Sequence, residues 1–376
     1  MSEPEAGVSP RARRHAARIL RLASQVTDAR MRFCLGAPSL RLVSSNSDPA
    51  PGRGAVREGV VPLTAPFMLH HGGSLAAARL AWRLAGDPSL PVVVAIGGIS
   101  ADRRVFDTDR PEDGWWREIV GPGLALDTRH CAILGIDYLG AQGDSSAAAP
   151  GERFPSLSSY DQAAALATLL DHLRLRRIRA IAGASYGGMV ALAFAERYPQ
   201  RVERLIVISA GDRAHPLATA WRSVQRRMVE FGLSAGRGAA GLELARALAM
   251  TTYRSQEEFA ARFDAAPRRV DGRFVFPVEE YLYARGRNYA ARVQPEHFLC
   301  LSESIDLHRV DATRITVPCT VVAVREDLLV PLGDLRALVA RLPRAELVEI
   351  SSPHGHDAFL KEPAQLKPVF DQVYGE

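Results

Sequence analysis

Three polar residues far apart in the chain have the types that nucleophilic catalysis needs: Ser185, Asp327 and His356. Ser185 stands in the turn Gly183-Ala184-Ser185-Tyr186-Gly187-Gly188, between a strand-like stretch at 178–182 and a breaker-free, helix-forming stretch at 189–197. A strand that reverses directly into a helix crowds its own backbone, and glycine beside the serine relieves that crowding. Such a turn pushes the hydroxyl out at the carboxyl end of the strand, in front of a helix N-terminus. A serine hydroxyl alone is a poor nucleophile near neutral pH. It becomes competent when an imidazole takes its proton and a buried carboxylate fixes the imidazole's tautomer. Asp327 and His356 supply these two groups, each just beyond a strand-like run, at 317–324 and 346–350. Glu326 and His354 are the neighbouring alternatives. Asp327 is preferred because Glu326 is longer, less rigid and one residue closer to the strand; His356 is preferred for its position against the last helix.

Acyl chemistry at a serine also needs donors for a tetrahedral oxyanion. The backbone N–H of Tyr186, directly after the nucleophile, is one candidate. Gly98, in the turn that ends the apolar run at 91–96, is the other. The plain alternatives are a helix-capping serine, a solvated loop acid and an ordinary Gly97-Gly98 turn.

These groups need a scaffold that brings strand ends together. The strand-like runs at 91–96, 131–136, 204–211 and 317–324 alternate with helical patterns, as in an α/β sheet whose parallel strands are buried on both faces. Open α/β sheets place ligands at the carboxyl edge, where all three groups fall. The order Ser, Asp, His is that of the α/β-hydrolase fold. Residues 66–69 and 78–84 read as two opening strands around a turn at His71-Gly72-Gly73, the second equally compatible with a helix. Ser159 and Gln162 have capping-box spacing at the start of a helix. From Arg213 to Ala312 the strand rhythm stops and helical patterns take over, at 221–231, 241–252 and 256–263. The expected organisation is a flexible extension at 1–59, a first core part at 60–212, a helical lid at 213–312 and a second core part at 313–376.

The chain of 376 residues carries a formal charge of +5, with 47% hydrophobic and 24% charged residues, an ordinary balance for a soluble globular protein. Nearly all the positive charge is arginine, lysine occurring only at 361 and 367, and its scatter argues against a nucleic-acid face. No run approaches the roughly 18 apolar residues of a membrane span. Cys34, Cys131, Cys300 and Cys319 have no metal-ligand or redox spacing, so no metal is expected and a cytoplasmic setting fits. The Arg-rich, Ser-bearing start carries Glu3 and Glu5 and lacks an apolar secretory core, so it reads as a loosely ordered extension with a basic helix at 11–22 and a linker at 44–57.

The stretches Ser185-Tyr186-Gly187-Gly188-Met189, Ala245-Arg246 to Tyr253-Arg254, and Gly355-His356-Asp357-Ala358-Phe359-Leu360 together resemble the homoserine O-acyltransferase family of the α/β-hydrolase fold. Gly121-Pro122-Gly123-Leu124-Ala125-Leu126-Asp127-Thr128 and the span from Tyr281-Leu282 to Asp306 are similar too. The resemblance covers about residues 60 to 376. It implies a ping-pong transferase that passes an acyl group from a coenzyme A thioester to Ser185 and then to the hydroxyl of homoserine. It also implies that Arg246 and Tyr253 hold the amino-acid carboxylate and that Asp357 lies near its ammonium group. A planar guanidinium suits a carboxylate on physical grounds as well.

Two departures bear on the donor. Gly98-Ile99-Ser100 stands where the acetyltransferases usually carry L-T-G, and Leu301-Ser302-Glu303-Ser304-Ile305-Asp306 replaces an L-T-R-A-x-D stretch. This wording is closer to the succinyl-transferring branch. The resemblance thus implies a homoserine O-succinyltransferase of methionine biosynthesis, a homodimer with no bound cofactor and succinyl-CoA as cosubstrate. Acetyl-CoA as donor, serine as acceptor and a serine esterase are the alternatives.

Overall fold

A computed structural model describes residues 56–87, 89–108 and 114–374. Eight strands form its central sheet: β1 (Val56–Pro62), β2 (Arg79–Ala85), β3 (Val92–Ile96), β4 (Ala132–Ile136), β5 (Ile178–Ala184), β6 (Val202–Ile208), β7 (Cys319–Val324) and β8 (Ala345–Ile350). They lie in the order β1-β2-β4-β3-β5-β6-β7-β8. β1 and β2 pair antiparallel, β2 runs antiparallel to β4, and the other pairings are parallel.

The apolar runs form the sheet centre because both of its faces are covered. Along β3, Val92, Val94 and Ile96 enter one core while Val93 and Ala95 enter the other, the two-residue alternation of a strand. Helices α1 (Ser159–His172) and α2 (Tyr186–Arg197) pack on the first face. Trp116 and, from the C-terminal helix Pro363–Asp371, Leu366 and Phe370 fill the second.

Between β6 and β7 the chain leaves the sheet and forms α3 (Pro216–Ser234), α4 (Gly238–Tyr253), α5 (Gln256–Phe263), α6 (Pro277–Ala290) and α7 (Pro295–Asp306). These helices have a small core of their own, built from Val229, Leu242, Ala245, Tyr289 and Phe298. The helices expected at 221–231, 241–252 and 256–263 lie within α3, α4 and α5; α6 and α7 have no counterpart in the sequence reading. Two exposed three-residue strands, Arg268–Val270 and Arg273–Val275, pair between α5 and α6.

The first strands differ from expectation. Residues 66–69 contribute only the short strand Phe67–Met68, which pairs with Ser74–Leu75 outside the main sheet, while 78–84 is strand β2 and not helix. The partner of β2 is β1, so Val56 to Gly59, read from sequence as the end of the extension and its linker, are sheet residues. The basic stretch at 11–22, the rest of that linker and Cys34 lie outside the described residues. The capping box of α1 closes one residue earlier than its spacing suggested: Ser158 is the N-cap and Asp161 Oδ2 accepts from the Ser158 N–H at 2.7 Å.

Candidate active site

Ser185 joins β5 to α2 with φ 54° and ψ −122°, a backbone conformation that side-chain-bearing residues rarely adopt. Strain of this kind costs on the order of 1–3 kcal/mol and persists only where surrounding contacts over-determine it. Those contacts are visible. The Ser185 N–H donates to the Ile208 carbonyl at 2.9 Å, and the Gly187 N–H donates to the Gly97 carbonyl at 2.9 Å. The turn closes so tightly that a Cβ on Gly183 would meet the Gly187 carbonyl at 2.4 Å, and one on Gly187 would meet the Ile96 carbonyl at 2.2 Å. Glycine is therefore required here by the approach of three backbone segments.

His356 is brought to the serine by a 3₁₀ turn, Gly355–Leu360, after β8. Its Nε2 lies 2.9 Å from Ser185 Oγ and its Nδ1 lies 2.7 Å from Asp327 Oδ2. The other carboxylate oxygen of Asp327 accepts from the Leu329 and Val330 N–H groups at 2.8 and 3.0 Å. Asp327 is thus buried with both oxygens engaged and one aimed at the imidazole. Burial pulls the His356 pKa down, but the Asp327 charge and hydrogen bond outweigh it and raise the pKa above its ordinary value. The neighbouring alternatives point elsewhere. Glu326 accepts from the Ser351 hydroxyl and the Ser352 N–H, and the His354 ring bonds Arg254.

Gly98 borders Ser185: a Cβ built on it would lie 3.9 Å from Ser185 Oγ. The carbonyl of Gly97 is held from the far side by the Gly187 N–H and by the hydroxyl of buried Tyr138 at 2.6 Å. In a trans peptide C=O and N–H point in opposite directions, so these bonds also orient the Gly98 N–H. The Tyr186 N–H is among the first of α2, where no intrahelical partner exists. The Tyr186 hydroxyl reaches Ser304 Oγ of α7 at 2.5 Å, tying the turn to the helical segment.

The serine faces a cavity of about 230 Å³ lined by the strand-end loops on one side and by the helical segment on the other. Arg246, Tyr253 and Asp357 all line it. Arg246 Nη1 lies 3.3 Å from the Tyr253 hydroxyl, and its guanidinium sits 5.0 and 4.6 Å from the ring centroids of Tyr253 and Tyr289. The Tyr253 ring is 6.0 Å from that of His356. Asp357 is already 3.3 Å from Arg254 Nη2. Tyr138, Tyr289, Arg222 and Gln225 belong to this setting but escape sequence reading. Tyr138 carried one usable signal, a hydroxyl two residues past the end of a buried strand.

Among the described residues no cluster of three or more His, Cys, Asp or Glu side chains can hold a metal ion, and no helix is long and apolar enough to cross a membrane. Cys131, Cys300 and Cys319 are buried free thiols, each with its pKa pushed up to about 12 by burial.

Comparison with known proteins places this chain among relatives. Residues 91–363 match the family described as alpha/beta hydrolase fold. The chain is 46% identical over 286 residues to a homoserine O-succinyltransferase of Xanthomonas campestris pv. campestris, spanning 76% of this chain and 75% of that protein. It is 34% identical over 337 residues to a homoserine O-acetyltransferase of Symbiobacterium thermophilum, spanning 78% and 88% respectively. Among solved structures, homoserine O-acetyltransferase from Bacillus anthracis superposes with a TM-score of 0.78 at 18% identity, covering 85% of this chain and 98% of that one.

Proposed function

The chain belongs to the homoserine O-acyltransferase family of the α/β-hydrolase fold, and from that premise we propose that it is a homoserine O-succinyltransferase acting in methionine biosynthesis. The observation that carries the reading is the unbroken line Ser185–His356–Asp327 opening onto a cavity with Arg246 in its wall. The first part fits covalent acyl chemistry; the second fits an acceptor whose binding groups are charged.

In the first half-reaction His356 Nε2 takes the Ser185 proton as Oγ attacks the thioester carbon of succinyl-CoA. Asp327 keeps the Nδ1–H tautomer in place and offsets the charge of the imidazolium. The N–H groups of Gly98 and Tyr186 receive the oxyanion. Collapse of the tetrahedral species breaks the C–S bond, and the proton held by His356 goes to the leaving thiolate. In the second half-reaction His356 takes the proton of the homoserine hydroxyl, whose oxygen attacks the acyl-serine. Ser185 then leaves with that proton restored. Arg246 and Tyr253 hold the amino-acid carboxylate, and Asp357 faces the ammonium group in competition with Arg254. The helical segment at 213–312 acts as a lid that keeps water from the acyl-enzyme, which separates transfer from hydrolysis.

The test follows free thiol release from succinyl-CoA and acetyl-CoA, each with and without homoserine or serine. The proposal expects fast release only with succinyl-CoA plus homoserine. Equal release without an acceptor would make the protein an esterase. Preference for acetyl-CoA would reassign the donor, and preference for serine the acceptor.

A further inference from the structure

Helix α3 supplies a second polar wall to the cavity, one turn apart at Arg222 and Gln225, which share a helix face. Arg222 is fixed before any ligand arrives. Its Nε and Nη2 donate to Asp306 Oδ1 at 2.8 and 2.6 Å, and the Thr219 hydroxyl donates to the same oxygen at 2.7 Å. Arg226 Nη1 fills the other oxygen of Asp306 at 2.6 Å. Two guanidinium groups thus share one carboxylate, which leaves an unbalanced positive charge beside the cavity. Arg222 Nη1 has no hydrogen-bond acceptor among the described residues.

Gln225 adds an independent sign. It is only 4% exposed, and its amide makes no hydrogen bond among the described residues. Gln225 lines the cavity, so an amide that no other side chain or backbone group holds is available there to bond a ligand oxygen. The other cavity arginines differ: Arg341 is paired with Asp212 at 2.9 Å, Arg246 stacks on tyrosines, and Arg213 is exposed. Arg222 is also close enough to His356 for its charge to oppose protonation of the imidazole, which sets it near the reacting centre.

We propose that Arg222 Nη1 and the Gln225 amide receive the terminal carboxylate of the acyl group, so that α3 selects a dicarboxylic acyl donor over a simple one. The inference rests on the succinyl-transfer reading above. A guanidinium already held by Asp306 loses little freedom when it binds, so its hydrogen bond is available for discrimination. A neutral acyl chain would leave both groups unsatisfied, and a site built to bond a polar group rejects the analogue that lacks it.

The experiment compares succinyl-CoA with butyryl-CoA, a donor of equal chain length without the carboxylate, by kcat/KM for thiol release with saturating homoserine. Two variants are used. Arg222→Gln removes the charge but keeps a donor toward Asp306, and Gln225→Glu leaves the Arg222–Asp306 pair intact while opposing an anion. In each, the succinyl-to-butyryl ratio should fall by roughly ten- to hundredfold, the range for a lost charge-assisted hydrogen bond. A ratio within twofold of wild type in both variants, with the wild type active on succinyl-CoA, overturns this inference alone. A wild type that does not use succinyl-CoA overturns both this inference and the reaction it rests on.

Discussion

The floor and the wall of the cavity are built on different principles. The floor is the carboxyl edge of the sheet, where backbone segments touch, glycines are forced by contact distances near 2.2–2.4 Å, and the side chains of Ser185, His356 and Asp327 hold fixed partners. The wall is a set of helices bearing cations, some paired and some not, around a small separate core. The floor resembles what any acyl-serine reaction needs; the wall differs from what water as acceptor needs. A shared floor with a changeable wall explains how one fold serves several acyl acceptors and donors.

Breaking the floor should give the largest effects. Ser185→Ala removes the nucleophile and should lower thiol release by on the order of 10⁶, the scale measured when a triad serine is lost. The acyl adduct should vanish from the mass spectrum while the melting temperature stays close to wild type. A succinyl adduct on another residue would move the nucleophile elsewhere.

Asp327→Asn keeps the shape but loses the tautomer control of His356, at a cost of about 10⁴ in turnover. It should also move the pH profile. The His356 pKa is raised above its ordinary 6.5 chiefly because the Asp327 charge overcomes burial. The ring must be neutral to accept a proton, so kcat/KM in the wild type should fall as pH drops through a midpoint above 6.5. In Asp327→Asn that midpoint should shift down. Glu326→Gln serves as the control and should leave the midpoint in place, because Glu326 bonds Ser351 and Ser352.

Changing the wall should be milder and selective. Arg246→Lys keeps the charge but not the planar fork, and kcat/KM for homoserine should drop roughly ten- to hundredfold. Single-turnover acylation should survive, since the acceptor enters only afterwards. Failure of acylation with unchanged homoserine affinity would instead put Arg246 on the donor.

The smallest effect expected is at the seam between the strand ends. Tyr138→Phe removes one of two bonds to the Gly97 carbonyl, so the Gly98 N–H is held less firmly. A net hydrogen bond of about 0.5–1.5 kcal/mol corresponds to a two- to tenfold loss, expected in kcat for acylation and not in KM. An equal change in both would mark Tyr138 as merely structural.

Much of the floor was legible from residues 178–197 and from the apolar runs around Val92, Val207 and Val321. A parallel strand covered on both faces must be apolar throughout, and a strand-to-helix reversal must carry glycine, so these features are written locally. The α1 cap was read one residue late because Ser158 and Ser159 both fit; Ser159 instead bonds buried His308 at 2.6 Å. β1 went unseen because it is an edge strand, mostly exposed, whose polar residues leave no two-residue period. The wall is another matter. Arg222 meets Asp306 across 84 positions of sequence, and Tyr186 meets Ser304 of α7 across 118. Local propensity decided which segments were strand, turn and helix. Only the packing of α3, α4 and α7 over the strand ends decided which charges face the serine, because long-range pairing of guanidinium and carboxylate leaves no periodic mark on the chain.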